Sequence, residues 1–197
     1  VLLGAQLSLK SIVEVGAQSF PVMLSPLAVC LLAAWLIGRA LGIDRGIRTL
    51  IGVGTGICGA SAIAAVSPIV RAKSHDISYA ISTIFLFNIL AVIVFPIIGH
   101  ALGMTPEAFG LFAGTAVNDT SSVVAAASVF SSAALGFAVV VKLVRTLMII
   151  PISITLAVVE GRRNGDGARL TPMRIFKLIP WFLFGFIIVA CIASTGI

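Results

Sequence analysis

The sequence predicts an all-α fold, a polytopic bundle of transmembrane helices with at least one broken or re-entrant helix. Composition gives the first indication. Of the 197 residues, 59% are hydrophobic and only 10% are charged, and the mean hydropathy is +1.19. An ordinary soluble domain carries roughly 25% charged residues. So few charges cannot cover a body of this size in water, and its apolar surface must face lipid. Charge spacing gives the second. No charged residue falls between Glu14 and Arg39, Arg48 and Arg71, Asp76 and His100, Asp119 and Lys142, or after Lys177. Each gap is about 20 residues or more, enough to cross a hydrocarbon core of about 30 Å at about 1.5 Å per residue. The third is a set of interruptions inside the apolar runs: a glycine cluster, a polar pentad and two cations.

Taken in order, residues 1–13 read as the end of a truncated helix and 18–38 as a first complete span. The stretch 49–70 reads as a broken span, 78–98 as a span closing near Pro96, and 107–130 as an interrupted span opened by Pro106, a residue suited to a first helical turn. After a short connection at 131–134, a span covers 135–159, a basic loop covers 160–177, and 178–197 begins a last span. The chain reads as a single transmembrane domain, 1–197, cut at both ends, since it begins at Val1 in apolar sequence and stops at Ile197 in another apolar run. Basic residues are enriched in cytoplasmic loops, which places 39–48 and 160–177 in the cytoplasm of a cell or inner membrane.

The net charge of +6 does not imply nucleic acid, because the basic residues sit at segment ends. Cys30, Cys58 and Cys191 are isolated in apolar segments and imply no disulfide framework. No metal-ligand spacing and no nucleophile–base pair is evident, so neither a metal, a cofactor nor an enzymatic activity is expected. His75 and His100 fall at span ends and read as interfacial.

Three segments carry chemistry. In the first, Gly52-Val-Gly54-Thr-Gly56-Ile-Cys58-Gly59-Ala-Ser61, glycines crowd an apolar stretch. Each costs a helix interior up to about 1 kcal/mol relative to Ala. One reading is a helix broken near Cys58–Ser61, whose second half offers backbone N–H groups to an anion. The other is close helix packing, because Gly52 and Gly56 have GxxxG spacing. In the second, Asn118-Asp119-Thr120-Ser121-Ser122 interrupts an apolar region with N-cap residues. Asp119 falls within an expected span, where a carboxylate must be protonated, paired or hydrated. It could carry a proton, ligate a cation, pair with a base, or simply cap a helix. In the third, Lys142 and Arg145 lie deep in the span 135–159, on one face at i, i+3 spacing. Asp119 is the expected partner for one of them. The other could meet an anionic substrate, or the cations could hold two helices together. Pro151 can kink the same helix.

At these motifs the chain resembles the YeiH-type sulfate exporter family. Gly54-Thr-Gly-Ile-Cys58-Gly-Ala-Ser61-Ala-Ile-Ala-Ala65 resembles its glycine-rich stretch, with Gly56 where the family pattern has Ser. Ala116-Val-Asn118-Asp119-Thr120-Ser-Ser-Val-Val-Ala-Ala-Ala127 and Val141-Lys142-Leu-Val-Arg145 with Pro151 resemble its second and third motifs. The resemblance implies part of an inverted-repeat transporter fold in which two broken helices cross, the second lying beyond Ile197. It implies a secondary transporter that exports a small anion such as sulfate or a related sulfur oxyanion. Gly54, Gly56, Cys58, Gly59, Ser61, Lys142 and Arg145 would bind substrate, and Asn118, Asp119, Thr120 and Ser121 would handle a coupling proton or sodium ion. The alternatives are a cation/proton antiporter and a non-transporting membrane scaffold. The expected partners are the lipid bilayer, a small inorganic or organic anion and a coupling ion. A homodimer is compatible with this reading, and nucleic acid is not expected.

Overall fold

The structure, a computed structural model, describes residues 9–163, with side chains from Pro21 to Arg162. The expected span 178–197, most of the basic loop before it, Cys191 and residues 1–8 lie outside the described residues. Among the described residues there are eight helices and no strand: α1 (Leu9–Ala40), α2 (Arg45–Gly56), α3 (Ala60–Val66), α4 (Ser74–Ala101), α5 (Pro106–Ala116), α6 (Thr120–Phe130), α7 (Ser132–Thr146) and α8 (Ile149–Arg163). Three stretches are long and apolar enough to cross a membrane: Pro21–Ala40, Ser74–Ala101 and Ser132–Arg162.

Two boundaries differ from the sequence reading. The first helix does not stop near residue 13 and restart at 18 but continues from Leu9 to Ala40. A lone glycine, Gly16, costs about 1 kcal/mol, less than the penalty of leaving backbone groups unbonded at membrane depth. Conversely, the expected span 135–159 is two helices, parted by a turn at Leu147–Met148. Pro151 explains the turn. Its ring would collide with the carbonyl of the residue four before it, Leu147. At its own place in the first turn of α8 the missing N–H is harmless. Pro96, by contrast, lies inside α4 without ending it.

The helix starts follow local chemistry. Thr105 caps α5, its hydroxyl accepting the N–H of Ala108 at 3.3 Å, with Pro106 in the first turn. Thr105→Ala is expected to lower stability by about 1 kcal/mol, measured as a lower melting temperature in detergent.

The chain divides into two compact units. The described part of one includes the second half of α4 from Asn88, with α5, α6 and α7 to Arg145. Its core is built mainly of alanine and valine around fully buried Phe109, which stacks on Phe130 at 4.0 Å, while exposed His100 stacks on the same ring at 4.4 Å. The described part of the other includes α1 from Ser25, α2, α3, α4 up to Phe87, and α8. Its core is aliphatic, formed by Leu50, Ile57, Ile63, Val66, Ile84 and Ile149. Along α4, Leu86, Phe87, Ile89, Ile93 and Ile97 are exposed. A row of large apolar side chains on a helix this long suits hydrocarbon rather than water.

Candidate functional site: a broken helix held by buried polar groups

The break between α5 and α6 is built from three directions. α5 ends at Ala116, and Val117 and Asp119 are extended (ψ 136° and 142°). Asn and Asp compete with the helix for backbone hydrogen bonds, so the chain leaves helical geometry where they occur and restarts just after. Asp119 is the N-cap of α6. Its carboxylate accepts the N–H of Ser121 at 3.0 Å and also bonds the Ser121 hydroxyl. Thr120 is the first residue of the new helix.

The break exposes backbone donors that need partners, and a side chain from α4 provides one. Asn88 is buried, and its Oδ1 accepts the N–H groups of Asn118 at 3.1 Å and Asp119 at 3.3 Å. This residue did not stand out in the sequence. Its signal was a lone amide in the charge-free run 77–99, where a polar side chain at membrane depth faces a partner or a cavity.

From the other side α7 brings two cations. Lys142 is completely buried, and its Nζ donates to the carbonyl of Val117 at 3.0 Å. Arg145 is 5% exposed and donates to the carbonyl of Thr115. These carbonyls lie at the C-terminal end of α5, where the helix dipole is negative and cations are favoured. The i, i+3 spacing sets both side chains on the face of α7 that meets α5. Two glycines allow the approach. A Cβ on Gly110 would lie 3.0 Å from the carbonyl oxygen of Ala134, and one on Gly114 would lie 2.9 Å from that of Ala138.

Asn118, Asp119, Ser121, Lys142 and Arg145 are thus brought to one break, with Asn88 added. The expected ion pair is corrected. Among the described residues Asp119 is directed to the N-terminus of α6, and no ion pair joins it to Lys142 or Arg145. The cause is competition: cap donors lie two residues away, while α5 carbonyls take the cations. Two buried polar atoms here have no hydrogen-bond partner, Nδ2 of Asn88 and Oδ1 of Asn118. An unbonded buried polar atom costs about 1–3 kcal/mol, so such atoms mark a place where a solute or water would be bound.

The glycine segment belongs to the other unit. α2 runs through Gly52, Gly54 and Gly56, breaks over 57–59, and α3 starts at Ala60. Gly59 stands at φ 70°, ψ −131°, a conformation L side chains rarely adopt, so this glycine makes the break. Both readings of the segment are therefore present. The helix breaks, and its glycines also pack closely, with a Cβ on Gly52 falling 2.9 Å from that of Ala34. Gly54 faces Ile63 and Ile84, and Gly56 faces Leu27. Cys58 is buried, while Ser61 is exposed, its hydroxyl donating to the Cys58 carbonyl at 3.1 Å and lying 2.9 Å from Sγ.

Three stretches long and apolar enough to cross a membrane, with a shorter helix pair broken beside buried cations, define an integral membrane protein. Sequence comparison places it further. Residues 1–197 match the family described as Conserved hypothetical protein 698, and the chain belongs to that family. It is 42% identical over 201 residues to a UPF0324 membrane protein of Streptococcus agalactiae serotype V, covering 100% of this chain and 60% of that one. It is 43% identical over 208 residues to a UPF0324 membrane protein of Clostridium tetani, with the same coverage. With a UPF0324 membrane protein of Streptococcus pneumoniae it is 45% identical over 192 residues, covering 95% of this chain and 56% of that one. The chain spans about 60% of the length of these relatives. No solved structure matches it.

Proposed function

We propose that this chain is part of a secondary transporter that moves a small anion, such as sulfate or a related sulfur oxyanion, out of the cell through the inner membrane. The observation that carries the reading is the α5–α6 break, where two buried cations and two unbonded amide atoms converge in a lipid-embedded helix bundle. Charge at that depth costs several kcal/mol or more and is a mark of function in membrane proteins. The buried cations Lys142 and Arg145 and the unbonded Nδ2 donor of Asn88 are groups that suit an anion, and Asp119 is turned into a helix cap. The resemblance alone assigns substrate contact to Gly54, Gly56, Cys58, Gly59 and Ser61 of the other unit. Asn118, Asp119, Thr120 and Ser121 would handle a coupling proton or sodium ion. The inverted-repeat architecture, the cytoplasmic placement of 39–48 and 160–177, and the absence of enzymatic activity belong to this same reading.

A cation/proton antiporter is the second reading. It draws on the Asp119 carboxylate and the unbonded Oδ1 of Asn118, two oxygen ligands close in sequence. Reconstitution of the complete polypeptide in proteoliposomes separates the two. Sulfate or sulfite flux is expected, reduced at least about tenfold by Arg145→Ala, the effect of one lost charged contact, and also reduced by Asp119→Asn. Anion flux unchanged in both variants would remove this reading. Sodium or potassium flux driven by a pH gradient, independent of anions, would favour the second. A scaffold role predicts that the same variants alter only stability.

A further inference from the structure

A groove opens between α1, α2 and α8, entirely within the unit that holds the glycine segment. Its walls are apolar: Leu31 and Trp35 of α1, Val53 of α2, Ile152 and Leu156 of α8. It holds about 280 Å³, room for a length of hydrocarbon chain. The hydroxyl of Thr155, which also lines it, is already donated to the Pro151 carbonyl at 2.8 Å. Thr49 also lines the groove, whose walls are otherwise apolar.

One end differs. Arg48 lines the groove, and Arg39 lies over the Trp35 ring, its guanidinium carbon 5.6 Å from the ring centroid. Both arginines flank the loop after the span Pro21–Ala40, at the depth where aromatic and basic residues anchor a helix to the membrane surface. The neighbouring Arg45 is neutralised by Glu160 at 2.6 Å. Among the described residues no carboxylate pairs with Arg39 or Arg48. The groove thus has one guanidinium, that of Arg48, in its lining and a second, that of Arg39, over the ring of Trp35 in its wall.

We propose that this groove binds an anionic glycerophospholipid of the bilayer, one acyl chain along the walls and the phosphate at Arg48 and Arg39. Charge complementarity selects this occupant. A zwitterionic headgroup would bring an ammonium to two arginines, whereas an anionic headgroup brings net negative charge, which basic residues near the membrane surface attract. The proposal is independent of the transport reading.

The test uses the complete polypeptide in neutral detergent doped with phosphatidylglycerol or with phosphatidylcholine of the same acyl chains. Phosphatidylglycerol is expected to raise the melting temperature and to persist as a one-to-one adduct in native mass spectrometry, and phosphatidylcholine to do neither. Arg48→Gln is expected to weaken phosphatidylglycerol retention about fivefold, the counterpart of about 1 kcal/mol. Thr155→Trp, which fills the groove from an exposed position, is expected to abolish it. Equal retention of both lipids would overturn the proposal. So would absence of any adduct on the unaltered protein, the result expected if another segment of the polypeptide occupies the groove. Full retention in Thr155→Trp would place the headgroup on the arginines alone and overturn it too.

Discussion

Gly114→Leu is expected to abolish transport and to leave no monodisperse protein in detergent. α5 and α7 touch through backbone at this position. A Cβ on Gly114 would lie 2.8 Å from Cβ and Cγ1 of Val141 and 2.9 Å from the carbonyl oxygen of Ala138. None of these is the tip of a flexible side chain, so the helices must part. Parting them withdraws Lys142 from Val117 and Arg145 from Thr115, and leaves two cations buried without those carbonyls. Gly114→Ala calibrates the effect. One added methyl in a tight contact costs about 1–3 kcal/mol, and alanine returns up to about 1 kcal/mol in helix propensity. A net loss of about 0–3 kcal/mol follows, with transport reduced but measurable. Gly56→Ser is the stability control. Its Cβ would first meet the Leu27 side-chain tip at 3.1 Å, which can yield, and little change in melting temperature is expected. Thermal unfolding in detergent reads all three variants, and flux in proteoliposomes the two at Gly114. Gly114→Leu protein as stable as the unaltered chain would contradict this account of the α5–α7 contact.

The same contrast shows what was legible in the sequence. The membrane location follows from charge spacing alone. The break after Ala116 and the restart at Thr120 follow from residue types, because Asn118 and Asp119 favour caps wherever they occur. The depth of Lys142 and Arg145 also follows from spacing. Partners are another matter. Asp119 and the cations attract each other on paper, yet the local cap and the α5 carbonyls hold them apart, because backbone groups freed by the break are nearer. The roles of Gly110 and Gly114 depend on which helix lies opposite, and no periodicity states that. The interruption expected between residues 13 and 18 does not form, because neither a charge nor a lone glycine there ends α1, whereas Pro151, expected to kink its helix, acts four residues back and turns the chain at Leu147–Met148.

Asn88 is the residue whose substitution separates the functional readings. Asn88→Leu is expected to remove transport and a large part of the stability together. Its Oδ1 accepts the buried N–H of Asn118 and the part-buried N–H of Asp119. Leaving a buried donor unbonded costs about 1–3 kcal/mol and a part-buried one less, against a net stability of about 5–15 kcal/mol for a folded domain. Asn88→Asp keeps an acceptor of the same shape at the same place, and both N–H groups can still be bonded. The new charge at a position 2% exposed carries a desolvation cost. The bonds to Lys142 and Arg145 end on Val117 and Thr115, just before the segment Asn88 holds, and those cations offset part of that cost. Stability is therefore expected to fall in the order Asn88, Asp, Leu. Transport need not follow that order. A negative charge in place of the unbonded Nδ2 donor repels an anion and removes a hydrogen bond to it, so anion flux in Asn88→Asp is expected to fall at least about tenfold, the effect of about 1.4 kcal/mol, although the protein remains folded. A cation site would gain an oxygen ligand from the same change, and cation flux would be kept or raised. Folded Asn88→Asp protein with full anion flux would show that the substrate does not pass this break, and would leave the buried cations a structural role.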